Sequence, residues 1–164
     1  MQGKLNYYLT VSTFDRFMYE YTVENRSVFE QIFSLNTAQK YKLYTDLKIN
    51  ALPENRAYKY DFFWDNCSTR IRDMIQQQFA DSLHYPAFKV KPFRSYLHDY
   101  LSDQPWSKFG IDLILGLPCD AMAGTKEAMF LPLEMMKAYD STMVVKGYSH
   151  RYLLPPLYFL FHLF

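Results

Sequence analysis

The chain has 164 residues, the length of one ordinary domain, and its 49% hydrophobic residues suffice for a packed core. With 18 basic against 17 acidic residues the formal net charge is +1. The basic residues are scattered, so there is neither the field nor the Lys/Arg run that would hold nucleic acid, and no nucleic-acid partner is expected.

Aromatic residues reach 19%, with 15 Tyr and 14 Phe. Tyr-rich surfaces suit interfaces and wet grooves because each ring is apolar with a polar tip; a Tyr-rich core and rim is the plainer reading. In chain order, Met1-Gln2-Gly3-Lys4 holds no apolar signal-peptide core, and residues 5–11 read as a short strand, as though the chain began mid-domain. Thr13 is placed to cap a helix over residues 13–24, where Phe14, Phe17, Met18 and Tyr21 recur at helical spacing. Residues 27–35 alternate imperfectly and are rich in β-formers, which predicts a strand. Asn36 or Thr37 then caps a helix carrying Leu43, Leu47 and Ala51 that stops before Pro53. Residues 58–64, with rings on both faces, predict another strand.

After Asp65-Asn66-Cys67 the pattern changes. Ile71, Met74, Ile75 and Phe79 form one apolar helical face, so a helix should begin near Cys67 with Asp65 or Asn66 as its N-cap. Further helices are expected over residues 94–101, 107–115 and 134–139. The class is α+β, with small antiparallel sheet, helices, and a cysteine at a helix N-terminus. Residues 1–146 are expected to form the domain and residues 147–164 an apolar tail; shorter than the about 20 apolar residues of a spanning helix and interrupted by Pro155 and Pro156, it reads as a truncated membrane segment, a buried end or a miscalled end of the reading frame.

A thiol acts as a nucleophile only as thiolate, and the free N–H groups of a helix N-terminus favour that anion. The same N–H groups can receive the oxyanion formed when a thiolate attacks an ester or amide. Cys67 is therefore the candidate catalytic residue, with Asp65, Asn66 and Arg70 supporting it; Arg70, one turn on, is positioned to orient an acidic partner or stabilise the thiolate. The bland alternative is a buried structural cysteine, with Arg70, Arg72 and Asp73 on a solvated helix face. Cys119, after Pro118 at a turn, carries no motif and is expected to stay unbridged to Cys67. The four histidines, His84, His98, His150 and His162, all follow Cys67 and none is marked as a base. No His/Cys cluster has metal-ligand spacing and no Gly-rich phosphate loop is present, so neither metal nor cofactor is expected.

Several blocks together resemble a bacterial envelope family. They are Gly3-Lys4-Leu5-Asn6-Tyr7, Asp15-Arg16-Phe17, Asn25-Arg26-Ser27-Val28, Asn50-Ala51-Leu52-Pro53-Glu54-Asn55, Tyr58-Lys59-Tyr60-Asp61-Phe62 and, above all, residues 65–73 around Cys67. Pro105-Trp106, Gly110-Ile111-Asp112 and Met129-Phe130-Leu131-Pro132 agree. The sequence is similar, over roughly residues 3–146, to the periplasmic-domain family of the lipoprotein intramolecular transacylase, Lnb. That resemblance implies a permuted papain-like fold in which the histidine precedes the cysteine, here an incomplete one, since the upstream Gly-His segment is not in this chain. It implies Cys67 as the nucleophile of acyl transfer through an acyl-thioester, a lipoprotein or phospholipid-type acyl donor, a membrane surface beside the full-length parent, and a place on the periplasmic side of the inner membrane. A fragment of this kind is expected to be inactive alone and to expose aromatic surface such as Tyr7, Tyr8 and Phe33. The alternatives are a non-catalytic envelope module that binds lipid or peptide, and a cell-wall amidase or peptidase.

Overall fold

The computed structural model describes residues 2–79, 82–146 and 149–153. These residues form a mixed α+β fold of seven α-helices and three small antiparallel sheets. β1 (Gln2–Tyr8) pairs with β2 (Ala57–Asp61), with Tyr7 opposite Tyr58 and Leu5 opposite Tyr60. Between them come α1 (Phe14–Val23) and α2 (Thr37–Asn50). α3 (Cys67–Phe79) follows β2. In the second half, β3 (Leu83–His84), β4 (Lys91–Pro92) and α4 (Phe93–Asp99) lead to α5 (Pro105–Leu115). A short 3-10 turn at Leu117–Asp120, β5 (Met122–Ala123), α6 (Thr125–Ala128), α7 (Pro132–Asp140), β6 (Met143–Lys146) and β7 (Ser149–Tyr152) complete it. β6 lies between β3 and β7, and β4 pairs with β5.

The local chemistry explains most boundaries. The Thr13 hydroxyl accepts from the Arg16 amide and starts α1. Asn36 and Gln39 form a reciprocal capping box at the start of α2. Both helices were expected, and both lie on the periphery with no fully buried residue. The helices expected over residues 94–101, 107–115 and 134–139 are α4, α5 and α7.

Four expectations need correction. β1 begins and ends three residues earlier than the strand read over 5–11. Residues 27–35 form no strand: Ser34 donates to the Leu153 carbonyl at 2.8 Å, while the Gln31 amide donates to the Met136 carbonyl at 3.0 Å and the Asp140 carboxylate at 2.8 Å. The segment is thus extended but pinned to α7 and the chain after β7, with no ladder. Phe33 is correspondingly half-buried, edge-on to Tyr139, instead of open to water; Tyr7 and Tyr8 are exposed as anticipated. The run Leu83-His84-Tyr85-Pro86 reads as a loop from its sequence, but Leu83 and His84 form β3 against β6.

Two core clusters hold the elements. In the first, Phe63, Phe93 and Phe130 pack ring against ring with Tyr96, Leu97, Cys119, Ala123 and Ala128. In the second, Ile75 and Phe79 of α3 meet Met129, Ala138, Tyr139, Val144 and Leu153. The buried face of α3 is turned from the one read in the sequence: Ser68, Arg72, Ile75 and Phe79 face inward and Ile71 is exposed. Arg72 is buried, not solvated, because its guanidinium donates to the Lys126 carbonyl at 2.9 Å and to Asp73 at 2.8 Å.

α4 and α5 are joined by a polar clamp. Arg94 donates to Asp112 at 2.6 Å, to Asp120 at 2.8 Å and to the Gly116 carbonyl at 3.1 Å. Gly116 occupies the left-handed region at φ 62, a backbone position that suits glycine, and this aims its carbonyl at the clamp. His98 Nε2 lies 3.0 Å from both Asp112 oxygens. Burial pushes the Asp112 carboxyl up, but hydrogen bonds from His98 and Arg94 outweigh it and hold it below the usual carboxylate range; Arg94 does the same to Asp120. A carboxylate whose folded value is lowered favours the folded state above its unfolded value, and that advantage disappears as pH falls through the folded value. The urea midpoint should therefore fall as the pH is lowered from about 6 to about 3, and Asp112→Asn should flatten that dependence.

Candidate functional site

Cys67 is the first residue of α3, as the sequence predicts, and the structure leaves it exposed. The strand before it ends earlier than expected. β2 stops at Asp61 because the Asp61 carboxylate accepts from the Phe63 amide at 3.0 Å and the Trp64 amide at 2.9 Å, which folds residues 61–65 into a tight turn. Two backbone bonds between Asp61 and Asp65, 3.0 Å and 3.1 Å, close that turn. The chain therefore enters α3 from a rigid reversal and not straight off a strand.

Asn66 sets the helix start. Its side-chain oxygen accepts from the Thr69 amide at 2.9 Å, and its own amide donates to the Thr69 hydroxyl at 2.8 Å, a reciprocal cap in which Thr69 plays the part usually taken by Glu or Gln. Its side-chain nitrogen donates to the Phe62 carbonyl at 2.8 Å and to the Phe130 carbonyl at 3.0 Å, across 64 residues of sequence. Asn66 is only 4% exposed. Of the two cap candidates, Asn66 is the cap and Asp65 belongs to the ion pair beside it. With the Thr69 amide taken, the amides of Cys67 and Ser68 are first-turn donors with no acceptor among the described residues.

Arg70 does orient an acidic partner. Its Nε and Nη2 grip the two oxygens of Asp65 at 2.7 Å and 3.0 Å, and its guanidinium carbon lies 3.7 Å from the centre of the Tyr58 ring. The pair is partly exposed, so it contributes modestly to stability, about 1 kcal/mol or less; its geometric effect is to join β2, the turn and the first turn of α3. Tyr7, Tyr58 and Tyr60 form an aromatic wall on the β1–β2 ribbon, with Tyr7 stacked on Tyr60 at 4.5 Å and tilted to Tyr58 at 6.1 Å. Burial, and then the electrostatic interaction with Cys67, raise the phenols of Tyr58 and Tyr60 above their ordinary range, so both hydroxyls keep their protons at neutral pH. Sequence reasoning did not assign these tyrosines to the site. The alternation of Tyr58 and Tyr60 on one strand face, immediately before the cysteine block, was the available signal.

Trp64, Asp65 and Arg70 also line one end of a cleft of about 800 Å³ between α2 and α3, whose far wall includes Asp46, Asn50 and Asn55. Among the described residues no histidine hydrogen-bonds Cys67: His98 is held by Asp112 in the clamp and His84 sits in β3. The His150 side chain and the whole of His162 lie outside the described residues, as does the apolar tail from residue 154. Cys119 is fully buried in the first core and unbridged, and burial, ahead of nearby charges, raises its thiol.

The arrangement defines a mixed α+β domain that presents one accessible cysteine on a rigidly capped helix start. The family described as the Lnb N-terminal periplasmic domain matches residues 1–102, and the chain belongs to that family. The match takes in Cys67, Asp65, Asn66, Thr69, Arg70 and the three tyrosines, but not Phe130, and it sets the domain in the periplasm. No curated protein and no solved structure matches the chain. Among the described residues no helix is long and apolar enough to cross a membrane.

Two outcomes follow. Asn66→Ala should lower unfolding stability by about 2–4 kcal/mol, since it removes a cap and strands two carbonyls. Asn66→Asp should destabilise as well, because a carboxylate would then face the Phe62 and Phe130 carbonyls; urea unfolding measures both. Iodoacetamide should alkylate Cys67 well before Cys119 in the folded chain, with the two rates converging in denaturant; mass spectrometry of the labelled peptides reads the order.

Proposed function

We propose that the domain serves cysteine-dependent acyl transfer in the cell envelope, with Cys67 as the nucleophile and a lipoprotein or phospholipid-type ester as acyl donor. The observation that carries this reading is the exposed Cys67 beside two first-turn amides that have no acceptor among the described residues. In the first half-reaction the thiolate attacks the ester carbonyl carbon, and the tetrahedral oxyanion is received by the Cys67 and Ser68 amides. Collapse breaks the C–O bond, the leaving alkoxide takes a proton, and a thioester remains on Cys67. In the second half-reaction an amine attacks the thioester, loses a proton, and expels the thiolate. Acylation of a lipoprotein's own N-terminal amine, as in the characterised Lnb proteins, is the specific form of this reaction that the family supports.

The proton transfers need a group that the described residues do not bring to Cys67. In this reading it is the histidine that the family resemblance puts before the cysteine block. General acid–base catalysis is typically worth about 10²–10⁴-fold, so the 164-residue chain, in which every histidine follows Cys67, should turn over more slowly by about that factor than a chain that carries such a histidine. Arg70 acts here as a positioning residue, keeping Asp65 and Tyr58 in place around the sulfur.

Incubation of a chain that carries the histidine segment with a diacylated lipopeptide should produce an acyl adduct on Cys67 that hydroxylamine releases, and Cys67→Ala should lose both adduct and transfer. Transfer that survives Cys67→Ala would refute the reading. Tight, unreacted lipopeptide binding by wild type and Cys67→Ala alike would favour a binding module built on the α2–α3 cleft. Arg70→Lys should lower kcat more than it changes KM, because a lysine keeps the charge but not the two-pronged grip on Asp65.

A further inference from the structure

The cleft of about 800 Å³ between α2 and α3 is walled by polar groups whose charges are already matched. Three carboxylates line it, and each has its own cation. Lys42 donates to Asp46 at 2.7 Å, Arg70 grips Asp65, and Arg72 donates to Asp73 at 2.8 Å. The amides that line it are less engaged. Asn50, half-buried at the end of α2, and Gln77, exposed on α3, make no side-chain hydrogen bond among the described residues. Asn55 uses its side-chain nitrogen on the Ile49 carbonyl at 3.0 Å, and its side-chain oxygen has no partner among the described residues. At one end Trp64 is 54% exposed and packs at right angles to Phe93, with ring centres 5.3 Å apart.

We propose that this cleft binds a neutral sugar, a pyranose unit of a glycan, with Trp64 against its C–H face and the amides of Asn50, Asn55 and Gln77 on its hydroxyls. The chemistry of the walls disfavours the other common occupants. A cationic ligand would meet carboxylates that are each neutralised at contact distance. A phosphate or carboxylate would find Arg70 as the one cation lining the cleft, with Nε and Nη2 both held by Asp65. An acyl chain would cover the Asn50 and Gln77 amides with hydrocarbon and leave them unpaired, at the full cost of their desolvation. An extended peptide pairs with a strand edge, and these walls are helix and turn. A sugar hydroxyl, in contrast, both donates and accepts, and so do the free amides, while the paired carboxylates keep spare lone pairs for further donors. The opposite requirement of a pyranose, a flat apolar surface for its C–H groups, is met by an exposed indole. The volume lies within the about 300–1,000 Å³ of small-ligand sites, and the periplasmic setting shown by the family puts envelope glycans within reach. Asp65 and Arg70 close the cleft on the side of Cys67, so a bound glycan lies beside the turn that carries the cysteine. This binding goes beyond the acyl-transfer reading and does not depend on it.

Calorimetry and fluorescence of the whole chain with maltotetraose and with the tetramer of N-acetylglucosamine test this directly. At least one of the two should bind. In a Trp106→Phe background Trp64 is the single tryptophan, and its emission should shift to the blue on binding. Affinity should be equal at about 0.05 M and about 0.5 M salt, because a neutral ligand has no charge to screen. Trp64→Ala should weaken binding about tenfold or more, and Asn50→Leu and Gln77→Leu about tenfold each. Gln77 is exposed, so circular dichroism and the urea midpoint of Gln77→Leu should match wild type; Trp64→Phe, with a smaller ring and an intermediate loss, serves if Trp64→Ala does not fold. The proposal fails if neither sugar binds at about 10 mM, if binding falls with salt, or if the folded cleft variants bind as well as wild type. It also fails if a diacylated lipopeptide displaces the sugar, because the cleft then belongs to the acyl donor. Cys67→Ala should bind sugar like wild type, which separates this outcome from that of the acyl-transfer reading.

Discussion

The side chain of Asn66 is the constraint on which the site depends. One acceptor and two donors are all used: the acceptor closes the first turn of α3, and the donors reach back to Phe62 in the preceding turn and across to Phe130 beyond α6. A buried amide with all these bonds made tolerates little displacement, because losing any one leaves a polar atom without a partner in a dry place. Cys67 inherits that rigidity through its peptide bond with Asn66. Its sulfur is exposed, yet the backbone beneath it is tied to the first core.

Around this fixed point the structure separates what must be rigid from what faces outward. The aromatic packing of Phe63, Phe93 and Phe130 sits directly under the Asp61–Asn66 reversal and joins it to α4. The β1–β2 ribbon, in contrast, reaches the site by surface contacts: Tyr58 under Arg70, and Tyr7 on Tyr60. An exposed cysteine shares this corner with the phenols of Tyr58 and Tyr60, a guanidinium–carboxylate pair and helix amides that have no acceptor among the described residues, and Trp64, Asp65 and Arg70 line the α2–α3 cleft nearby. On another part of the molecule the Arg94 clamp uses the polar groups of α4 and α5 internally, and the apolar groups of α5 are left outside.

Much of this was legible before any coordinates. Thr13 and Asn36 cap the helices predicted to follow them because capping is a bond between residues three apart, wholly written in local sequence. The change from alternating rings to a helical stripe marked the start of α3 at Cys67 for the same reason, and the cysteine block with its flanking aromatics carried the family. What failed depended on partners distant in sequence. Residues 27–35 have strand composition, but strands need a neighbour to pair with, and Gln31 and Ser34 are bound instead by α7 and Leu153.

Sequence alone determined the α+β class, the capped starts of α1 and α2, and the cysteine at the head of α3, because these follow from short-range patterns and caps. Tertiary structure decided which face of α3 is buried. Arg72 turns inward in place of Ile71 because Lys126, 54 residues on, offers its carbonyl. It also decided that Tyr7, Tyr58 and Tyr60 belong to the site and that α5 shows its apolar side to water, since Arg94 and His98 draw Asp112 inward. A residue's burial depends on what the rest of the chain brings to it, and hydrogen-bond partners from other elements can outweigh the hydrophobic preference that a periodic pattern reports.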